Sequence, residues 1–113
     1  MAFPGTYNFN YYRGDTGQFV IRPKNANGSN FDLTDFSGLF TIANRRGSSG
    51  TQYEAVATVD ELASTVTCTI TPAVGRTLAA GSYVYDIQVD NSTQVYTLLT
   101  GTITVTDDVT GAV

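Results

Sequence analysis

Gly81-Ser82-Tyr83-Val84-Tyr85-Asp86-Ile87-Gln88-Val89-Asp90, then Asn91-Ser92-Thr93, then Val95 through Thr106, is the stretch that decides the fold. Tyr83, Tyr85, Ile87 and Val89 alternate with Val84, Asp86 and Gln88. That period of two puts the first set on one face of a strand and the second on the other. Asp90 through Thr93 has turn chemistry and no apolar residue. Residues 95–106 read as a second, longer strand with Val95, Leu99, Ile103 and Val105 facing inward. Gly101 marks an expected bulge or kink. Two strands and a short polar link make a β-hairpin.

The same signal recurs on either side. Thr65-Val66-Thr67-Cys68-Thr69-Ile70 places Val66, Cys68 and Ile70 on one face and three threonines on the other. Pro72 ends it, because proline cannot donate to a β-ladder. Pro72 through Ala79 is the one place for a helical turn, with Thr71 as cap and Gly81 as exit. In the N-terminal half, residues 6–11 alternate aromatic with polar, Arg13 through Gly17 breaks the run, and residues 18–22 form a short strand closed by Pro23. Asn25 through Gly28 is a turn. Residues 32–35 are irregular, with Leu33 and Phe36 as inward anchors. Residues 39–43 and 53–59 are further strands, separated by a Gly- and Ser-rich tip at 45–50. The expectation is one all-β domain over residues 1–113: a single antiparallel β-sandwich, Ig-like, of about seven strands with at most one short helical turn.

Composition narrows the function. The chain has 113 residues, long enough for one core without metal or disulfide staples. Charged residues make up only 14%, and the net charge is -4. Net repulsion from a phosphate backbone disfavours nucleic-acid binding. No apolar run approaches a membrane span, and the opening Met1-Ala2-Phe3-Pro4-Gly5 lacks a secretory signal, so the expectation is a protein made in a reducing cytoplasm. Low charge leaves Thr, Ser, Asn, Gln and Tyr to cover the surface, a composition that is cheap to desolvate against protein.

Catalytic chemistry is sought and not found. With no histidine, the usual base near neutral pH and the commonest metal ligand are missing. Ser-His and Cys-His arrangements are excluded. Lys24 is the only lysine and no Ser-x-x-Lys precedes it. Cys68 alternates with Val66 and Ile70 and reads as core. The pairs Asp32/Asp35, Asp60/Glu61 and Asp107/Asp108 read as solvated turns or a strand end, with a weak Ca²⁺ site near Asp107 and Asp108 as the alternative. Arg13-Gly14-Asp15 spells an adhesion tripeptide but reads as a tight turn with Gly14 at positive φ. Asp86, mid-strand, has a structural use. The expectation is no enzyme, no cofactor and no metal.

The skeleton Leu78, Gly81, Tyr83-Val84-Tyr85-Asp86, a hairpin, Leu98-Leu99-Thr100-Gly101 and Asp108-Val109-Thr110 resembles a small β-sandwich domain of tailed-bacteriophage virion proteins. Such domains open baseplate upper proteins and tail-fibre proteins and also occur alone. Arg13 through Thr16, Gly28 and Asp32-Leu33-Thr34 are similar to the family's opening. The resemblance implies a virion structural protein, assembled in the host bacterial cytoplasm, that acts as a tail, baseplate or fibre-attachment adaptor. Its partners would be other phage structural proteins, with a homo-oligomer among the assemblies allowed. Baseplate upper proteins continue into a shaft, whereas this sequence stops at Val113, which favours an adaptor or decoration subunit over direct host binding. A capsid decoration (cement) protein bound to the major capsid protein is the alternative. A carbohydrate- or receptor-binding module is the competing class. Tyrosine and arginine are enriched at interface hot spots, so Tyr12, Arg45 and Arg46 are the expected contact residues. Tyr7, Phe9 and Tyr11 point the other way, toward the core.

Overall fold

The computed structural model describes residues 4–47 and 51–107. Among them are eight strands, β1 (Gly5–Thr6), β2 (Phe9–Tyr12), β3 (Gly17–Ile21), β4 (Ser37–Ala43), β5 (Gln52–Asp60), β6 (Thr65–Ile70), β7 (Gly81–Asp90) and β8 (Val95–Thr106), and one short helix, α1 (Pro72–Gly75). The protein is thus mostly β. The strands form one mixed, strongly curled sheet in the order β1-β8-β7-β4-β5-β6-β3, with β2 also on β8.

This corrects the expectation in three respects. The first is direction. β1 and β2 run parallel to β8, with Gly5 beside Leu99 and Tyr11 beside Val105. Parallel pairing needs a long crossover, and here nearly the whole domain lies between the two ends. The second is the path of the ladder. Residues 52–55 of β5 pair with β4, and residues 56–60 pair with β6. One long strand therefore carries the sheet around its bend instead of leaving two separate layers.

The third is the irregularity in β8. It lies opposite the Ile87/Gln88 step, where Leu98 is the extra residue, and not at Gly101. Leu98 and Tyr96 consequently turn toward the interior, and Val95, expected inside, is 62% exposed. Gly101 has another reason to be glycine: a Cβ there would lie 2.1 Å from the Tyr7 carbonyl oxygen. The strand expected over residues 6–11 is broken at the same place, and of its three inward residues Phe9 and Tyr11 pack into the core while Tyr7 is 46% exposed. Asn8 Oδ1 accepts the Thr102 N–H at 3.0 Å, and the Tyr7 carbonyl accepts the Tyr85 hydroxyl at 2.5 Å.

Alternation elsewhere is as read. Val66, Cys68, Ile70, Tyr85, Ile87, Val89 and Ile103 are buried together with Phe40, Ile42, Leu33 and Leu78. Phe9, Phe19, Phe40 and Tyr85 meet ring to ring with centroids 5.4 to 6.5 Å apart, within the range where edge-on aromatic contacts are favourable. The Thr71 hydroxyl caps α1 by accepting the Val74 N–H at 3.3 Å, and Gly81 leaves the segment at φ 147.

Candidate docking surface

The curl of the sheet divides it into an apolar inside and an outside where polar residues are mixed with exposed Val20, Leu39 and Val56. On the outside, β8 presents Thr100, Thr102, Thr104 and Thr106. The parallel register sets Asn10 beside Thr104 and Tyr12 beside Thr106. On the other flank Ser82, Val84 and Asp86 of β7 oppose Thr104, Thr102 and Thr100, and Thr41 of β4 follows Asp86. Tyr12 is 60% exposed. Arg46 follows β4 and reaches back over this face. Its Nη2 donates to Thr100 Oγ1 at 2.8 Å, and its Nη1 lies 3.4 Å from Asp86 Oδ1. Both partners of that ion pair are about half exposed, so it positions the guanidinium more than it stabilises the fold.

Tyr12 and Arg46 therefore bracket one outward face. Six steps of β8 separate Thr100 from Thr106, roughly 20 Å at strand rise. Arg45 stands at the Arg46 end, where both arginines, Thr41, Gln52 and Asp86 line a depression of about 90 Å³. All three residues expected at a contact surface are exposed. Arg46 and Asp86 cancel in charge, so the face between the two ends is hydroxyl- and amide-rich and close to neutral.

The other singled-out residues have structural surroundings. Arg13 donates through Nε to the Leu78 carbonyl at 3.0 Å and through Nη2 to the Arg76 carbonyl at 2.6 Å. Gly14 has φ 88. The adhesion-like tripeptide thus ties the turn between β2 and β3 to the chain leaving α1. Asp32 accepts the Thr34 N–H and hydroxyl, which hold its carboxyl below the ordinary value. Asp60 Oδ1 accepts the Ala63 N–H at 3.1 Å, closing the turn between β5 and β6. Asp108 lies outside the described residues, as does the Asp-Val-Thr ending. Among the described residues no three His, Cys, Asp or Glu side chains gather as a metal site.

Two clusters escaped the sequence reading. Phe31, Phe36 and Tyr96 pack ring on ring at 5.5 to 5.9 Å, joining the irregular segment to the hairpin. A cavity of about 380 Å³, lined by Phe19, Val20 and Ile21 of β3, Leu99 of β8 and Tyr7, opens at the rim of the sheet. Residues 18–22 read plainly as a strand, but its place at the rim of the sheet follows from the order of all eight strands and leaves no local signal.

Burial pushes the Cys68 thiol up to about 12 from an ordinary value of 9.0. It also raises the hydroxyls of Tyr85, Tyr11 and Tyr83. A thiol so placed stays protonated and is a poor nucleophile. Raised values in the folded state mean that the unfolded chain releases these protons first as pH climbs. The contribution is whole below about pH 9 and is lost between about pH 9 and pH 12. The thermal midpoint is expected to fall across that window. A midpoint unchanged to pH 11 contradicts the burial of these groups.

No protein-family profile matches the chain, and no curated protein matches it. Among solved structures it is similar to Listeria monocytogenes InlP, at 17% identity and TM-score 0.49, over 88% of this chain and 26% of that one. It is also similar to a family 123 glycoside hydrolase from Clostridium perfringens, at 14% identity and TM-score 0.40, over 91% of this chain and 23% of that one. The chain thus spans about a quarter of the length of either.

Proposed function

We propose that this chain is a non-catalytic docking module that serves as a structural protein of a tailed-phage particle, an adaptor at the tail, baseplate or fibre attachment. The observation that carries the docking part is the outward face of β2, β8, β7 and β4. It is nearly neutral and rich in threonine, and its ends carry an exposed tyrosine and an arginine pair. Tyrosine and arginine are enriched at protein interfaces, and charge is depleted from their centres. The phage part rests on the resemblance. The residues that carry it have geometric duties: Tyr83 and Tyr85 fill the inside, Gly81 sits at positive φ, and Gly101 admits the Tyr7 backbone.

Within this reading the two ends of the curled sheet, joined through β5, take the place of the two layers of an Ig-like sandwich. Phe19 of β3 packs against Phe40 of β4 and Tyr85 of β7 from across the core. β5 passes from one group of strands to the other, as corner strands do in sandwiches.

Replacing Tyr12, Arg45 and Arg46 by alanine tests the docking face. Copies of the variant per purified particle are expected to fall at least tenfold, the consequence of about 1.4 kcal/mol or more of lost contact energy. Thermal stability is expected to change little, because all three side chains are exposed. Unchanged incorporation refutes the assignment.

A further inference from the structure

We propose that β3 accepts an added β-strand: an extended, uncharged segment of a partner protein. Its backbone would pair with residues 17–21, and one large apolar side chain would enter the cavity beside them. The proposal rests on the docking reading but assigns a second surface, at the rim of the sheet and not on its outward face.

The argument starts from the end of the strand order. Among the described residues, β3 pairs with β6 on one side and has no strand on the other. Alternate N–H and C=O groups along that side are therefore open to another backbone. Proteins usually blunt such edges with a lysine, a proline, an inward charge or a bulge. Gly17-Gln18-Phe19-Val20-Ile21 contains none of these, and its five-residue ladder with β6 is regular. Arg22 and Pro23 come only after it.

The surroundings select the occupant. The seam between β3 and β2 holds a cavity of about 230 Å³ beside Gly17, Gln18 and Phe19. Toward Ile21 lies the cavity of about 380 Å³. Tyr7, Phe19, Val20, Ile21 and Leu99 line that cavity, with Val20 and Tyr7 nearly half exposed. No lining residue carries a formal charge. A charged segment would lose its hydration with no counter-charge to replace it, so electrostatic matching requires a neutral one. Backbone pairing gives affinity, and a pocket for alternate side chains gives specificity, the combination that strand addition uses elsewhere.

Size distinguishes a segment from a whole second copy. Pairing along five residues covers much less than the roughly 800 Å² per partner of a standard interface. The segment must then belong to something held by another contact as well, where tethering raises its effective concentration. The Tyr12 and Arg46 face supplies such a contact.

The test presents the full-length protein to a displayed library of random nine-residue segments and maps selected peptides by amide hydrogen exchange. Selected peptides are expected to be uncharged, with apolar residues at alternate positions, and to slow exchange in residues 17–21 at least tenfold. N-methylation along one edge of a peptide is expected to abolish binding, and along the other edge to leave it intact. Val20→Lys, at an exposed site, is expected to remove binding and leave the thermal midpoint in place. Failure to select any binder overturns the proposal, as does binding that ignores Val20→Lys or protects other strands. A β3-mediated dimer in sedimentation, lost in Val20→Lys, overturns it in favour of a second copy. The alanine variant of Tyr12, Arg45 and Arg46 keeps peptide binding if the strand site stands alone, which separates failure here from failure of the docking face.

Discussion

Gly101→Ala is expected to destabilise the protein by about 3 kcal/mol, at the upper end of overpacking costs. The added methyl would sit 2.1 Å from the Tyr7 carbonyl oxygen and 2.9 Å from Asn8 Oδ1. The first of these is backbone, so no side-chain rotation relieves it. The N-terminal strands must move away from β8, and three bonds then go together. Tyr7 N–H loses the Thr100 carbonyl, Thr102 N–H loses Asn8, and the Tyr85 hydroxyl loses the Tyr7 carbonyl. In a domain of this size the thermal midpoint drops by on the order of 10 °C. Amide exchange should show β1 and β2 opening before the rest. Thr102→Ala, at the exposed neighbouring position, serves as the control and should change stability by less than about 0.5 kcal/mol. A Gly101→Ala protein as stable as that control contradicts the parallel pairing described for β1 and β2.

Tyr85→Ala should cost more, about 3–5 kcal/mol, the range for removing a large buried aromatic side chain. Tyr85 is 2% exposed. Its ring meets those of Phe9, Phe40 and Phe19, from three different strands. Its hydroxyl holds the Tyr7 carbonyl. Tyr85→Phe keeps the ring and removes only that bond, so it should cost about 1–2 kcal/mol. The gap between the two variants measures the ring against the hydroxyl. Tyr85→Phe and Gly101→Ala both break the link to Tyr7, so the double variant should lose less than the sum of the singles. Strict additivity would mean that Tyr7 does not join them. Chemical denaturation measures all four proteins.

Both variants show which parts of the fold the sequence displayed. Alternation in residues 65–70 and 81–89 identified the buried sets, because a strand with one wet face must repeat with period two. The helical turn was legible in Thr71-Pro72 and Gly81, where cap, first-turn proline and exit glycine each have a local cause. Gly101 stood out as a special glycine, but its reason was invisible. The group that a Cβ would strike is the backbone of Tyr7, more than ninety positions away. The extra residue at Leu98 was equally hidden, since Leu98-Leu99 reads as one apolar step until the register against Ile87 and Gln88 is known. Non-local topology accounts for the remaining differences: the parallel start, the single curled ladder through β5 and the open side of β3.

At the candidate site, exposure of Tyr12, Arg45 and Arg46 followed from their positions beside alternating strands and in a polar tip. That Tyr12 and Arg46 share one face did not follow, because β8 brings them together from opposite ends of a ladder. Asp86 illustrates the same limit. A carboxylate facing outward from the middle of β7 was evident from alternation, whereas its partner Arg46 lies forty residues earlier in the chain.

The most direct test of the adaptor proposal is gold labelling, with antibodies raised to this chain, of purified virions from a tailed phage whose genome encodes it. Label at the tail, baseplate or fibre attachment is the expected result. Label on the head contradicts the adaptor role and makes the protein a capsid decoration subunit. Absence of label from both intact and opened particles contradicts the virion assignment itself.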